Sequence, residues 1–129
     1  MILLYHNLIS YIDIVVYSQN YIVEVNKMQD QILRKFFLGF IQIHILHHAK
    51  KDPFYGAWMI EELKEHGYDM SPGTLYPLLH SMESKGLVEK EEKTVEGKVR
   101  KYYKITTLGN EVLEEARKKA YELFKEIRD

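Results

Sequence analysis

The chain has 129 residues, a mass of 15.4 kDa and a formal net charge of −1, which together fit one modest domain that can bury its own core. The absence of cysteine excludes a disulfide scaffold, a thiolate zinc site and a cysteine nucleophile, and it favours a reducing compartment. No apolar run approaches the roughly 20 residues of a membrane-spanning helix, and no Lys or Arg precedes Lys27 as in a secretory signal. We therefore expect a cytoplasmic protein with no membrane partner.

The first 27 residues differ in composition from the rest of the chain. They contain only three formal charges but four of the ten tyrosines, and the Ile-, Val- and Tyr-rich segments 9–17 and 21–25 favour strands. A second methionine, Met28, opens a segment of different character. Residues 1–27 are therefore either an ordered N-terminal extension or lie upstream of a translation start at Met28, and the sequence leaves both interpretations open.

Two helices are predicted next. Apolar residues at helical spacing predict the first from Met28 to about Lys50. They cover most of its circumference, so in a domain this small we expect a second chain to cover part of it, with Phe36 and Phe40 at that dimer surface. The second helix is predicted over about 55–66, and Gly67 suits its C-terminal end.

A third helix has a well-marked start at Ser71. Ser71 suits the N-cap and Pro72 the first helical position, where its missing N–H costs nothing. Gly86 ends the helix. The predicted buried stripe consists of Leu75, Leu78, Leu79 and Met82. Two helices joined by a short glycine-containing turn indicate a helix-turn-helix.

After Gly86 the pattern changes to two strands, 87–91 and 99–105, joined by a glycine-containing loop at 94–98. Thr106 or Thr107 then caps a final amphipathic helix. Its apolar stripe, predicted to dimerise, comprises Leu108, Val112, Ala116, Ala120, Leu123, Phe124 and Ile127. The predicted fold class is mainly α with a small β-hairpin, namely a winged helix-turn-helix domain at 28–106 followed by a C-terminal dimerisation helix at 107–129.

Positive charge is concentrated in the predicted hairpin. From Lys93 to Lys104 there are five basic residues and one acid, a local charge of +4 on a chain whose net charge is −1. A basic hairpin directly after a helix with short polar side chains on its outer face is typical of DNA binding. The residues assigned to DNA contact are Ser71, Gly73, Thr74, Tyr76, Pro77, His80, Lys93, Lys98, Arg100, Lys101 and Tyr103.

Four short segments, occurring in order between residues 33 and 124, resemble the PadR family of transcriptional regulators. They are Tyr-Gly at 55–56, Ser-Pro-Gly-Thr-Leu-Tyr-Pro-Leu-Leu at 71–79, Met-Glu-Ser-Lys-Gly-Leu at 82–87 and Arg-Lys-Tyr-Tyr-Lys-Ile-Thr at 100–106. The single C-terminal helix resembles the short branch of the family, whereas residues 1–27 have no recognised counterpart.

The resemblance implies a homodimeric winged-helix repressor that binds a pseudo-palindromic operator in double-stranded DNA and needs no cofactor. In that family the C-terminal helix dimerises, often against the first helix of the partner. Family members often release DNA when they bind a small aromatic or drug-like ligand, so a small-molecule effector is a further expected partner.

Other functions receive less support from the sequence. His44 and His48, with His47 adjacent, have a spacing that can hold zinc, but no HExxH motif occurs and the sequence places no third ligand, so we expect no metal site. No phosphate loop or nucleophile motif indicates an enzyme. A winged helix that binds only protein remains the alternative function. Trp58, the one tryptophan, is expected in the core, with stacking on a ligand as its alternative role.

Overall fold

The structure, a computed structural model, describes residues 27–128. Its elements are α1 (Lys27–Lys51), β1 (Phe54–Tyr55), α2 (Gly56–Glu65), α3 (Pro72–Ser84), β2 (Val88–Val95), β3 (Lys98–Ile105) and α4 (Thr107–Ile127). The predicted order of three helices, a hairpin and a final helix is confirmed, as is the mainly helical fold class. The strands predicted at 9–17 and 21–25 lie outside the described residues. Within 27–128, no helix combines the length and apolarity that crossing a membrane requires.

The sheet has one strand more than the hairpin predicted from sequence. β1 pairs antiparallel with β3, which gives the strand order β1-β3-β2. Phe54 pairs with Tyr103, and Tyr55 pairs with Tyr102. The sequence pattern missed β1 because two residues are too few to show an alternation of apolar and polar side chains.

The hairpin turn is also tighter than predicted. Val95 pairs with Lys98, so Glu96 and Gly97 alone form the turn, with φ values of 52° and 78°. Positive φ at both central residues is the type I′ geometry, whose twist matches that of the flanking strands. The predicted five-residue loop at 94–98 is therefore wrong, because Thr94 and Lys98 belong to the ladder, and each strand has eight residues.

Glycines in the left-handed conformation end both helices of the helix-turn-helix, as predicted. Gly67 has φ +87° and donates its N–H to the Lys64 carbonyl at 3.0 Å, while Tyr68 donates to the Leu63 carbonyl at 2.9 Å. This pair of bonds is the Schellman motif, and the same pair closes α3 at Gly86. The chain turn at Gly67 sets the direction of α3 relative to α2. The turn at Gly86 sets the direction of the wing (β2, β3 and their turn) relative to α3.

Ser71 occupies the N-cap of α3 as predicted, but it caps through its backbone. Its carbonyl accepts the N–H groups of Thr74 and Leu75 at 3.0 Å each, and its side chain makes no capping bond. The Ser71 hydroxyl instead lies 3.3 Å from that of Thr74. Pro72 is the first residue of the helix, as predicted. Two hydroxyl groups are thus grouped at the start of α3.

The core lies among α1, α2, α3, the inner face of the sheet and the first half of α4. It contains Ile41, Ile45, Leu46, Ala49, Phe54, Met59, Leu63, Tyr68, Met70, Leu75, Leu79, Met82, Val88, Tyr103 and Leu113. Three of the four predicted stripe residues of α3 are among them, and the fourth, Leu78, is partly buried against the core.

The start of α4 is fixed by close contact with the residues that precede the wing. Thr106 caps the helix by accepting the Gly109 N–H at 2.9 Å, and its hydroxyl donates to the carbonyls of Gly86 and Leu87. A Cβ built on Gly109 would overlap the Leu87 carbonyl oxygen, which is backbone and cannot yield easily. Only glycine lets α4 approach this closely.

We predict that Gly109→Ala destabilises the fold by about 3 kcal/mol, because overpacking against backbone forces the helix away from the sheet. Chemical denaturation measures the effect. The matched control is Gly73→Ala, since its new Cβ meets only the Ser71 hydroxyl at 3.8 Å and should change stability by about 0.5 kcal/mol or less. Equal effects of the two substitutions would contradict this account of the α4 junction.

Candidate nucleic-acid interface

The outer face of α3 presents most of the side chains assigned to DNA contact. Leu75, Leu79 and Met82 face the core, so the opposite face of the helix is open. The exposed residues there are Ser71, Gly73, Tyr76, Pro77 and His80, with Thr74 half-buried. Apart from Tyr76 and His80 these side chains are short, which suits a helix that must lie close to another surface.

Tyr76 is held in place by the first residue of α2. A Cβ built on Gly56 would lie 2.6 Å from Cε1 and 2.7 Å from the hydroxyl oxygen of Tyr76. The ring therefore rests directly on the glycine backbone while remaining exposed to solvent. The sequence contains Gly56 in a family motif, but its contact with Tyr76 depends on packing between α2 and α3 and could not be read from it.

Two basic side chains of the wing lie over tyrosine rings on the outer face of the sheet. The Arg100 guanidinium carbon lies 4.3 Å from the Tyr55 ring centroid, and the Lys93 Nζ lies 5.3 Å from that of Tyr102. Lys93 and Arg100 are direct partners in the ladder. Like charges placed opposite each other destabilise a strand pair, and the aromatic faces offset only part of that cost. A bound anion would relieve the remainder.

The positive charge is concentrated toward the tip of the wing. Over Val88–Ile105 there are six basic and four acidic side chains, a net charge of +2. Near the base of the wing, a carboxylate oxygen of Glu89 lies 3.7 Å from the Lys104 Nζ and compensates the positive charge of that lysine. Between Lys93 and Lys101 four basic residues accompany one acid. The predicted basic segment is thus narrower than 93–104.

A cleft of about 490 Å³ joins the wing to the helix-turn-helix. It is lined by Tyr55, Gly56, Ala57, Tyr76, Lys98, Val99, Arg100 and Lys101. The structure thereby brings Tyr76 of α3 together with three predicted basic residues of the wing. Lys93, Pro77 and His80 do not line the cleft.

Tyr103 does not belong to this surface, so its assignment to DNA contact is wrong. It is only 5% exposed, and its ring stacks on Phe54 with a centroid distance of 5.8 Å. Burial raises the pKa of the Tyr103 phenol, with a smaller contribution from Glu83. Side chains alternate across a strand, and it is the neighbouring Tyr102 that faces outward. Two adjacent tyrosines give no sequence signal of which one is buried.

The residues assigned to dimerisation separate into two groups. Ala120 and Phe124 pack against the core of their own chain, as does Leu113, which the prediction omitted. Ala116 is half-buried. The exposed apolar stripe of α4 consists of Leu108, Val112, Leu123 and Ile127. On α1, Phe36 is exposed and packs edge-to-face on the half-buried Phe40 with a centroid distance of 4.6 Å.

Trp58 lies at the surface and not in the core as expected. It is 38% exposed, and its ring meets that of His48 edge-to-face at a centroid distance of 5.3 Å. It lines a cavity of about 440 Å³ with His48, Lys51, Asp52, Pro53, Phe54, Tyr55 and Tyr102. The volume suits a small ligand. Stacking of an effector on Trp58 stays a prediction.

Comparison with known proteins assigns this arrangement to a family. Residues 45–115, which include the helix-turn-helix, the wing and the start of α4, match the Transcriptional regulator PadR-like family. The match covers more than half of the chain. This chain belongs to the PadR-like family of transcriptional regulators. The resemblance noted in the sequence is confirmed.

Individual PadR relatives agree with the family match. The chain is 43% identical over 95 residues to Transcriptional regulator Rv3488 of Mycobacterium tuberculosis, an alignment that covers 74% of this chain and 89% of the relative. A PadR-like transcription factor from Bacteroides fragilis has a TM-score of 0.66 at 30% identity, covering 76% and 96% of the two chains. A PadR-like transcriptional regulator from Bacillus cereus has a TM-score of 0.65 at 32% identity, covering 76% and 93%.

We predict that Gly56→Ala weakens DNA binding by this PadR chain about tenfold without unfolding it, because the new methyl group displaces only the outer end of the Tyr76 side chain and no backbone. Fluorescence anisotropy with a bound duplex measures affinity, and thermal unfolding checks the fold. The control is a double-mutant cycle. If Gly56 acts through Tyr76, adding Gly56→Ala to Tyr76→Ala causes no further loss, whereas additive losses would contradict the mechanism.

Proposed function

We propose that this PadR-family chain is a homodimeric transcriptional repressor that binds a pseudo-palindromic operator through the N-terminal part of α3 and the wing of each protomer. The observation that carries the proposal is the cleft in which Tyr76 of α3 faces Lys98, Arg100 and Lys101 of the wing. A helix with short outer side chains has a shape that fits the major groove, and the basic hairpin beside it is complementary in charge to the phosphates that flank the groove.

The helix and the wing would divide the work of binding. α3 carries one formal charge, at Glu83 near its C-terminal end, so its outer face supplies hydroxyl groups and not electrostatic attraction. Thr74 and Tyr76 can donate to or accept from base edges or phosphates. The basic tip of the wing supplies the attraction, and a phosphate beside Lys93 and Arg100 offsets their mutual repulsion.

The exposed stripe of α4 supports the homodimer. Four large apolar side chains on one side of a helix, together with Phe36 on α1, are costly to leave in water. Burial of the stripe against a second copy removes that cost. A two-fold dimer would also present two α3 helices to two half-sites, which doubles the length of sequence that is read.

We expect a dimer bound to a site selected from a random duplex pool to show a slope of log K against log salt near −7, which corresponds to about four phosphates per protomer. The selected half-sites should lie about 34 Å apart, one helical turn.

Lys98→Ala and Arg100→Ala should weaken binding to all sequences alike, whereas changes at Thr74 or Tyr76 should alter sequence preference. Titrations monitored by anisotropy at several salt concentrations measure each effect.

The control for the wing variants is Lys118→Ala, which removes an exposed lysine from α4. It should leave both the affinity and the salt slope unchanged. A slope near zero, or no affinity for any duplex, would overturn the proposal. If the wild-type chain then bound an acidic protein through the same wing, the protein-binding winged helix would be the better function.

Leu123→Glu should convert the dimer into a monomer, because it places a charge in the exposed stripe of α4. Tyr121→Glu is the matched control, since the two side chains are 43% and 37% exposed but, at 100° per residue, point in different directions around the helix. Sedimentation velocity at micromolar concentration measures the change. A monomeric wild type, or a dimer that survives Leu123→Glu, would contradict the proposed interface.

A further inference from the structure

Four side chains that the DNA interface does not use meet between α1 and α2. The Nε2 atoms of His44 and His48 on α1 lie 3.0 Å apart. Glu62 on α2 places Oε1 at 3.1 Å from the His48 Nε2 and 3.3 Å from the His66 Nε2. His44 is only 4% exposed, and the other three side chains are part-buried.

Three consecutive separations between these atoms are close to those of neighbouring ligands around a single small ion. In a tetrahedral site with metal–nitrogen and metal–oxygen distances of about 2.0–2.1 Å, neighbouring ligand atoms lie about 3.3 Å apart. The three interatomic separations, 3.0, 3.1 and 3.3 Å, are close to that edge length. The ligand atoms of His44, Glu62 and His66 also lie within 4.8 Å of one another. These three groups therefore share one small volume, and the His48 Nε2 lies beside the ligand atoms of two of them, His44 and Glu62.

Hydrogen bonds alone account poorly for this convergence. The Nε2 of His48 lies close to both the His44 Nε2 and the Glu62 Oε1. A ring nitrogen carries at most one proton, so His48 Nε2 cannot donate a full bond to each neighbour. The Glu62 oxygen can accept from both His48 and His66, so the approach that hydrogen bonds leave unexplained is that of the His44 Nε2 to the His48 Nε2. An ion at the centre would use the lone pair of every one of these atoms.

The protonation state of the buried histidines suits metal binding. Burial, aided by His48, His66, His47 and Lys51, lowers the pKa of His44 to about 3. Burial also lowers the pKa of His48, although Glu62 acts in the opposite direction. Burial thus favours the uncharged imidazole at both positions, which is the form that binds a metal through a ring nitrogen.

We propose that His44, Glu62 and His66, with His48 beside them, form a binding site for one divalent transition-metal ion of the zinc class. Imidazole nitrogens with one carboxylate suit Zn²⁺ and its neighbours in the first transition series, whereas Mg²⁺ and Ca²⁺ prefer all-oxygen sites. The chain has no cysteine, so the site is not one for ions that require thiolates. Sequence spacing predicted no metal site because Glu62 and His66 are distant from His44 and His48 in the chain.

The location suggests a mechanical role for the ion. His44 and His48 are one turn apart on α1, and Glu62 lies one turn before His66, the C-cap residue of α2, so each helix contributes groups from one face. α2 is the helix that leads through Gly67 into α3. A bound ion would therefore join the long first helix to the helix-turn-helix.

Isothermal titration with Zn²⁺ near neutral pH tests the proposal, and we expect one ion per protomer. Glu62→Gln, which keeps the shape of the side chain, should weaken binding about tenfold or more, as should His66→Gln at the end of α2. Glu61→Gln and His47→Gln are the matched controls, because each removes the adjacent side chain of the same type, and both should bind as the wild type does. Mg²⁺ should produce no saturable heat.

Two further readouts do not depend on the heat of binding. Zn²⁺ at a hundredfold excess over the wild-type Kd should raise the wild-type Tm by roughly 10 °C, and should raise that of Glu62→Gln by about half as much or less. Paramagnetic Co²⁺ should quench the fluorescence of Trp58, which lies against His48, and should develop the visible bands of a tetrahedral complex.

The outcomes distinguish a metal site from a cluster of polar side chains that binds no ion. Unfolding curves without metal show whether Glu62→Gln and His66→Gln still fold, so loss of binding is not mistaken for loss of structure. No saturable Zn²⁺ binding, or equal affinity in Glu62→Gln and Glu61→Gln, would overturn the proposal. None of these measurements uses DNA, so their result is independent of the proposed repressor function.

Discussion

The pairing of the two-residue strand β1 with β3 is the constraint on which the rest of the interface depends. Phe54 turns inward and stacks on Tyr103, while Tyr55 turns outward beneath Arg100. The next residue, Gly56, opens α2 and supports Tyr76 of α3. Three consecutive residues thus connect the core, the wing and the recognition helix. Without this pairing the wing would keep its anchors at Val88 and Gly86 but lose the link through Tyr55 and Gly56 that fixes its outer face relative to Tyr76.

Electrostatics explains how a chain with a net charge of −1 can present a basic surface. Acidic side chains compensate the wing near its base, where Glu89 faces Lys104, and leave its tip positive. On the outer face of the tip, Lys93 and Arg100 oppose each other across the ladder, an arrangement that costs folding stability. A loss of folding stability of this kind is expected at a functional site, because cross-strand pairs selected only for stability would place opposite charges facing each other. Net charge therefore carries little information about partners when the charges are segregated along the fold.

Sequence patterns predicted the features that are local in the chain, and failed where a feature depends on contacts between distant segments. Helix periodicity and the terminating glycines at 67 and 86 gave the helices and their order. Which of the adjacent tyrosines 102 and 103 faces the core depends on how β3 pairs with β1, and this pairing produces no periodic pattern in the sequence. Likewise, α4 has a broad apolar face, and only its packing against the core shows that Phe124 belongs inside and Leu123 outside. The histidine cluster has the same origin, since nothing in the spacing of His44 and His48 indicates that Glu62 will approach them.

α1 connects the two proposals that concern the state of the molecule rather than its contact with DNA. Its N-terminal half carries the exposed Phe36, whereas its C-terminal half is buried or half-buried from Ile41 to Ala49 and carries His44 and His48. The helix is continuous from Lys27 to Lys51, and eight residues separate Phe36 from His44, about 12 Å along the axis. A change in how α1 packs on α2 would therefore also move the N-terminal half of this continuous helix, where the proposed dimer surface lies. In the proposed dimer, which would place two α3 helices at a fixed separation, the angle of α1 would determine whether both fit one duplex.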